Sequence, residues 1–175
     1  MKVLAFAASS SRQSINKQLA TYAASLVEDA HVEVLDLNDY EMPIYSSDRE
    51  NDQGIPTHAQ TFYKKIGEAD AVIVSFAEHN GSYTAAYKNI FDWTSRINQK
   101  VYQNKPMLLL ATSPGPGGAK SVLSSAVGSA PFFAMDVKAS LSVPSFYDVF
   151  DSEQGVLKDD VLNAQLKESV FSLRS

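Results

Sequence analysis

Two nearly continuous runs of apolar residues constrain the fold of this chain most. Residues 69–76 (Ala-Asp-Ala-Val-Ile-Val-Ser-Phe) and residues 107–112 (Met-Leu-Leu-Leu-Ala-Thr) each have the length of a β-strand. A half-exposed strand alternates apolar and polar residues, whereas a strand covered on both faces of a parallel sheet reads as an unbroken apolar run. Both runs therefore predict central strands of a parallel sheet with helices packed on its two faces.

Further segments extend this pattern to five strands that alternate with helices. Additional strands are predicted at residues 2–7, 31–37 and 135–143. Helices are predicted from apolar spacing at residues 17–27, 58–67, 84–97, 119–127 and 159–173. Such alternation gives right-handed strand–helix–strand units and a parallel sheet. We expect a three-layer α/β fold with a five-stranded parallel sheet in the order 2-1-3-4-5.

The organisation of the chain is simple apart from one stretch. Residues 38–57 lose all periodicity and are predicted as a long loop of the kind that is functional or mobile. No repeat, low-complexity tract or linker divides the sequence. We therefore expect a single domain over residues 1–175.

The charge balance argues against two classes of partner. Fifteen Lys and Arg residues against 20 Asp and Glu residues give a net charge of −5, and the basic residues form no run. Nucleic acid and anionic membranes are therefore not expected as partners. The apolar runs are also too short to span a bilayer, and the N-terminus has no cleavage-site pattern, so we expect a cytoplasmic protein.

The inventory of reactive side chains limits the chemistry. The sequence has no cysteine, which excludes disulfides, thiolate zinc sites and cysteine nucleophiles. His31, His58 and His79 have no metal-ligand spacing, so no metal site is predicted. Any redox chemistry must therefore be carried by a bound cofactor.

Three unusual loops follow the first, third and fourth predicted strands, at residues 8–16, 77–83 and 113–118. In the predicted strand order they meet at the carboxyl edge of the sheet, where ligands bind in such folds. The first loop opens a helix, whose free N–H groups and dipole can hold a phosphate. Helix capping alone would also account for its Ser and Asn residues, and turn geometry alone for the glycines of the third loop, so these alternatives stay open here.

Three motifs in these loops carry a family resemblance. The first loop ends in Ser14-Ile15-Asn16, and the third reads Ser113-Pro-Gly-Pro-Gly-Gly118. The most specific motif is Glu78-His-Asn-Gly-Ser-Tyr83 followed by Lys88-Asn-Ile-Phe-Asp-Trp93. From residue 1 to about residue 143 the chain resembles the NAD(P)H-dependent FMN reductases of the flavodoxin-like fold, a family that includes quinone, chromate and azo reductases.

The resemblance implies a flavin site and its substrates. It implies FMN as cofactor, NADPH or NADH as co-substrate, a small electron acceptor such as a quinone or free flavin, and a homodimer or homotetramer. The residues expected to bind the cofactor are Ser9, Ser11, Ser14, Ile15, Asn16, Glu78, His79, Asn80, Gly81, Ser113, Gly115, Gly117 and Gly118. No catalytic acid, base or nucleophile is expected, because the flavin supplies the reactive centre.

Some residues depart from the family pattern or have a plainer interpretation. Ala8 stands where Gly is usual, Ala77 where Pro is usual, and His79 where Tyr is common. In the motif helix, the residues Lys88, Asn89, Asp92 and Trp93 are expected to fix the helix to the protein or to a second subunit, in preference to contacting the flavin. The aromatic residues Tyr45, Phe146, Tyr147 and Phe150 are interpreted as interface or small-cluster residues in preference to an acceptor pocket.

The leading functional hypothesis is an NAD(P)H oxidoreductase that works by a ping-pong scheme through FMN. The alternative is a non-enzymatic FMN electron carrier of the flavodoxin type, and a third possibility is a phosphate-binding module without redox activity. The Ser-Ile-Asn and Asn-Gly-Ser motifs favour the reductase.

Overall fold

The computed structural model describes residues 1–174, and within them five parallel strands form the central sheet. The strands are β1 (Lys2–Ala8), β2 (His31–Leu35), β3 (Ala71–Phe76), β4 (Lys105–Thr112) and β5 (Met135–Val143). Their spatial order is β2–β1–β3–β4–β5, and every neighbouring pair is parallel. The predicted sheet and its strand order are confirmed.

Helices cover both faces of this sheet. They are α1 (Ile15–Ser25), α2 (Ser47–Gln53), α3 (Thr57–Glu68), α4 (Ala85–Ile97), α5 (Lys120–Ser129), α6 (Phe146–Val149) and α7 (Asp160–Phe171). Helices α1 and α7 contribute to one apolar cluster, and α3, α4 and α5 contribute to the other. Short 3₁₀ turns occupy Leu37–Tyr40, Ala130–Phe133 and Ser172–Arg174.

The two-sided burial of the strands explains their apolar sequences. In β1, Val3 and Ala5 lie in the cluster with α1, whereas Leu4 and Phe6 lie in the cluster with α3 and α4. All four side chains are fully buried. Alternate residues of a strand point to opposite faces, so a strand between two helical layers needs apolar residues at every position.

The structure corrects the prediction for residues 38–57. This stretch is not one long loop, because it contains α2, whose first turn is capped by the Ser46 side chain accepting from the Arg49 N–H. None of the side chains of α2, all of which the structure describes, is buried. The helix therefore has no apolar stripe, and apolar spacing was the signal used to find helices.

The C-terminal part also holds elements that the sequence did not reveal. The short helix α6 follows β5 and leads into a small antiparallel hairpin of β6 (Phe150–Asp151) and β7 (Val156–Leu157). These elements have two to four residues each, which is too short for a periodic pattern. The predicted strand at residues 31–37 also ends earlier, at Leu35, because a 3₁₀ turn begins at Leu37.

Within residues 1–174, none of the helices has both the length and the apolar character required to cross a membrane.

Candidate functional site

Three loops come together at the carboxyl edge of the sheet, as their positions after β1, β3 and β4 predicted. Because β1 ends at Ala8, α1 begins at Ile15 and α5 begins at Lys120, the first loop of the structure is residues 9–14, the second is residues 77–83 and the third is residues 113–119. They surround an open cleft of about 230 Å³. The cleft is lined by Ser9, Ser11, Gln13, Ser14, Ile15, Asn16, Ala77, Glu78, His79, Thr112, Ser113, Pro114 and Tyr147.

The first loop presents three serine hydroxyls in a regular arrangement. Ser9 Oγ accepts from the Ser11 N–H at 3.1 Å, and Ser11 Oγ accepts from the Gln13 N–H at 3.3 Å. Ser14 Oγ accepts from the Lys17 N–H at 3.1 Å. None of these hydroxyls donates to an acceptor within residues 1–174. Each hydroxyl oxygen is therefore oriented by the backbone while its proton is free for a ligand.

The start of α1 adds backbone donors to these hydroxyls. Ser14 is the N-cap, and Ile15 and Asn16 are the first helical residues. The first N–H groups of a helix have no acceptor inside the helix, and the helix dipole places about half a positive charge there. This end of the cleft is therefore suited to a phosphate.

The side chain of Asn16 is engaged inside the protein. Its Oδ1 accepts from the Ser75 hydroxyl at 2.7 Å and from the Thr112 N–H at 3.1 Å. Its Nδ2 donates to the Thr112 carbonyl at 3.2 Å, and the residue is 2% exposed. The sequence interpretation treated this amide as a donor to the ligand, whereas the structure uses it to join α1 to β3 and β4.

The tip of the second loop is a two-residue hairpin turn. His79 and Ser82 exchange backbone hydrogen bonds of 3.0 and 3.1 Å. The intervening Asn80 and Gly81 have φ angles of 52° and 75°. Such a turn requires positive φ at both central residues, which Asn and Gly tolerate best. Asn80 and Gly81 are exposed at the tip and do not line the cleft.

Glu78 connects the second loop to α5. Its Oε2 accepts from the Val122 N–H at 2.8 Å. The residue at the N-cap of α5, Ala119, has no side chain that can serve this purpose and adopts a left-handed conformation. The Glu78 carboxylate thus caps α5 while it lines the cleft, a role that the sequence did not suggest.

The glycines of the third loop fall into two groups. A Cβ on Gly118 would lie 2.3 Å from Ser142 Oγ and 3.2 Å from the Pro144 nitrogen, and its φ is +61°. Gly118 is therefore required for packing against the end of β5. Cβ atoms on Gly115 and Gly117 would meet nothing within 4 Å among the described residues. These two positions do not line the cleft itself but leave space beside it.

The cleft lining includes residues that the sequence did not assign to the cofactor, of which Tyr147 is the most informative. Phe146 and Phe150 are buried, as expected for a small apolar cluster. Tyr147 is instead 64% exposed and lines the cleft. Backbone hydrogen bonds from Ser145 and Phe146 to the third loop fix this segment beside it. The sequence named Tyr147 with the other loop aromatic residues, but without a periodic pattern it could not separate an exposed lining residue from buried ones.

The motif helix is anchored as expected. The Trp93 Nε1 donates to the Pro43 carbonyl at 2.8 Å, and Trp93 is 1% exposed. Asn89 Oδ1 accepts from the Tyr45 N–H at 2.9 Å, and its Nδ2 donates to the carbonyls of Met42 and Pro43 at 3.2 Å. The motif residues thus hold α4 against the segment that follows the first 3₁₀ turn.

The residues at the cleft fit FMN. Free hydroxyl protons and helix N–H groups match a phosphate ester, and the uncrowded third loop leaves room for a flat ring. Arg12, exposed in the first loop, forms no ion pair within residues 1–174, so it adds an available positive charge. In the part of the chain that the structure describes, no group of His, Asp or Glu residues could hold a metal ion.

The fold places the chain in a known structural class. The solved structure of FerB, a flavoenzyme NAD(P)H:(acceptor) oxidoreductase from Paracoccus denitrificans, matches with a TM-score of 0.76. The match covers 99% of this chain and 97% of that chain at 23% sequence identity. At this identity the likeness shows the fold alone. With its cleft at the carboxyl edge of a 2-1-3-4-5 sheet, the protein is a flavodoxin-like α/β protein.

The sequence comparisons define the family. A family model described as NADPH-dependent FMN reductase matches residues 1–148. A 2-hydroxy-1,4-benzoquinone reductase from Burkholderia sp is 35% identical over 120 residues, which is 67% of this chain and 63% of that protein. An NADPH:quinone oxidoreductase from Arabidopsis thaliana is 28% identical over 182 aligned positions, which cover 100% of this chain and 91% of that protein. The chain belongs to the NADPH-dependent FMN reductase family, which confirms the predicted family, enzyme class and cofactor.

Proposed function

We propose that this chain transfers reducing equivalents from NAD(P)H to a small acceptor, a quinone above all, through bound FMN. The overall reaction converts NAD(P)H, a proton and a quinone into NAD(P)⁺ and a hydroquinone. The observation that carries the proposal is the convergence of the family's three motif loops on one cleft with oriented phosphate donors. The printed names of the Burkholderia and Arabidopsis relatives support a quinone as acceptor.

The first loop and the start of α1 would hold the FMN phosphate. Ser9, Ser11 and Ser14 supply hydroxyl protons whose oxygens are already fixed by backbone N–H groups. Ile15 and Asn16 supply the N–H groups of the first helical turn. Several short donors held in place before binding lose little freedom when the phosphate arrives, which favours affinity.

The second and third loops would hold the flavin ring. Glu78, His79 and Ser113 line the cleft on this side, and Tyr147 stands at its rim. Peptide groups at Asn80, Gly81, Gly115, Gly117 and Gly118 are the proposed neighbours of the ring. Bound in this way, FMN would supply the hydride chemistry between the nicotinamide and the acceptor.

The open side of the cleft suits a ping-pong scheme. Gly115 and Gly117 leave the space beside it uncrowded, because a Cβ at either position would have no described residue within 4 Å. A planar substrate can therefore approach from this side. The same face would serve the nicotinamide first and the acceptor after NAD(P)⁺ has left. The protein's part is to hold and orient, and no side chain is assigned as catalytic acid or base.

We further propose one domain over residues 1–175 and a cytoplasmic homodimer or homotetramer. The cleft of about 230 Å³ is smaller than the roughly 300 to 1,000 Å³ of ligand pockets, so a partner subunit would complete it. The face that carries α4 is the proposed interface. NAD(P)H is made inside cells, which supports the location. Light scattering of the FMN-loaded protein should give at least a dimeric mass, and an active monomer would contradict this assembly.

Steady-state kinetics test the proposed reaction. The purified protein is loaded with FMN and mixed with NADPH or NADH and a panel of quinones and free flavins. We expect acceptor-dependent oxidation of the nicotinamide, with parallel lines in double-reciprocal plots. FMN-loaded protein that oxidises neither nicotinamide with any acceptor would refute the proposal.

A further inference from the structure

Asn16 is the meeting point of three elements at the cleft. It lies in the first turn of α1, and its side chain contacts Ser75 near the end of β3 and Thr112 at the end of β4. The second loop begins two residues after Ser75, and the third loop begins directly after Thr112. One buried amide therefore connects the end of the first loop to the starts of the second and third loops.

The hydrogen-bond pattern fixes the orientation of this amide. Thr112 offers both its N–H and its carbonyl to the Asn16 side chain, at 3.1 and 3.2 Å. A flipped amide would place the Asn16 NH₂ group against the Thr112 N–H, which are both donors. It would also place the Asn16 amide oxygen against the Thr112 carbonyl, which are both acceptors. The Ser75 hydroxyl, which is 0% exposed, donates to the same Oδ1 at 2.7 Å and reinforces this orientation.

Further hydrogen bonds extend the connection around the cleft. The Thr112 hydroxyl donates to the Val143 carbonyl at 2.7 Å, which ties β4 to the end of β5. The Thr84 hydroxyl donates to the Ala8 carbonyl at 2.9 Å, which ties the end of the second loop to the start of the first. The Asn16 contacts and these two hydrogen bonds together form a set of buried polar contacts around the cleft.

We propose that Asn16 is a positioning residue that couples the phosphate-binding first loop to the flavin-facing second and third loops. It does so through Ser75 and Thr112 and not through a side-chain contact with the phosphate. This inference rests on the proposed function, because it concerns how the FMN site is held together. Buried polar groups that lose one partner carry a full desolvation cost, so removal of the amide would let the ends of β3 and β4 rearrange.

A positioning role predicts a distinctive pattern of flavin binding. FMN and riboflavin share the ring and the ribityl chain, and riboflavin lacks the phosphate. If Asn16 positions the loops around the ring, Asn16→Ala weakens FMN and riboflavin by similar factors, about tenfold or more each. If its amide served the phosphate alone, the loss would be confined to FMN.

The experiment uses fluorescence titration of the ligand-free protein well below its melting temperature. Asn16→Ala and Asn16→Asp are compared with Ser75→Ala, which removes one partner of the amide without touching the cleft. The Asp variant puts a carboxylate oxygen against the Thr112 carbonyl and should bind both flavins less well. Asn163→Ala is the matched control, because this asparagine accepts from the Tyr22 hydroxyl on α1, away from the loops, and should bind both flavins normally.

A second readout needs no flavin. Amide hydrogen exchange in the ligand-free protein should show faster exchange at Thr112 in Asn16→Ala and in Ser75→Ala, and no change in Asn163→Ala. A purely destabilising effect would raise exchange throughout the chain and leave the flavin affinity of the folded protein unchanged.

Several results would overturn the inference. One is a loss of FMN binding in Asn16→Ala with riboflavin binding intact, since it would make the amide a phosphate ligand. Unchanged binding of both flavins would also overturn it. If Asn16→Ala does not fold, Ser75→Ala takes its place, and either of these two results in that variant would overturn the inference. Wild-type protein that takes up no FMN would instead mark the failure of the proposed function.

Discussion

The Nζ of Lys17 lies 2.7 Å from Oδ2 of Asp36, and this ion pair joins the first turn of α1 to the residue after β2. The hydrogen bond from Lys17, and after it the one from the Asn38 N–H, lowers the pKa of Asp36 from 3.8 to about 2. Asn38 also donates to the Ser10 carbonyl at 3.0 Å. The charged form of Asp36 therefore supports the first loop from the β2 side.

This pair predicts a pH-dependent contribution to stability. Because the folded pKa of Asp36 is depressed, its contribution is present above about pH 4 and is lost as the pH falls towards about 2. Asp36→Asn should lower the free energy of unfolding near neutral pH by at most about 1 kcal/mol, because the pair is partly exposed. The melting temperature should fall accordingly. Thermal melts across pH should show the difference from wild type shrinking below about pH 4. A difference that stays constant with pH would contradict this account, and Asp52→Asn, in the exposed α2, is the control.

Ser14 has two roles that different ligands can separate. Its Oγ caps α1, and its proton is free for the phosphate. Ser14→Ala should weaken FMN about tenfold to a hundredfold, or roughly 1.5 to 3 kcal/mol, and leave riboflavin binding nearly unchanged. Ser46→Ala, which removes the cap of α2 outside the cleft, should lower stability by about 1 kcal/mol without affecting FMN. Titration that shows unchanged FMN affinity in Ser14→Ala would remove this residue from the site.

Two glycines of the third loop should differ in how much stability the protein loses when each is changed to alanine. Gly118→Ala places a methyl group 2.3 Å from Ser142 Oγ at a φ of +61°, so it should destabilise the fold by more than about 1 kcal/mol. Gly117→Ala meets nothing within 4 Å in the described part of the chain and should leave the ligand-free protein about as stable as wild type. Urea unfolding of both variants checks this, and equal losses of stability would show that the loop packs differently.

The sequence predicted the fold well where burial imposes a periodic pattern. Ile73 and Leu108 lie in runs that must be apolar on both faces, so the central strands were recognisable. The prediction failed for α2, because a helix without buried residues needs no apolar stripe. It also failed for β6 and β7, which are only two residues long.

The meeting of the three loops at one cleft was predictable, but the internal hydrogen-bond partners of individual side chains were not. The three loops were found because strand order determines which strand ends are neighbours. Asn16 and Glu78 were predicted to bind the cofactor, and both line the cleft, but the sequence did not reveal that their side chains also bond to Thr112 and to the Val122 N–H. These partners lie 96 and 44 residues away along the chain, and no local sequence pattern predicts contacts between such distant residues. Tyr147 was interpreted as an interface or small-cluster residue, whereas it lines the cleft.

The most direct test of the central claim follows the bound flavin itself. The FMN-loaded protein is mixed with NADPH or NADH in the absence of oxygen, and the visible flavin absorbance is recorded before and after a quinone is added. We expect at least one nicotinamide to bleach the flavin without a partner protein and the quinone to restore the yellow colour. If dithionite bleaches the flavin but neither nicotinamide does, the protein is an electron carrier and not a reductase.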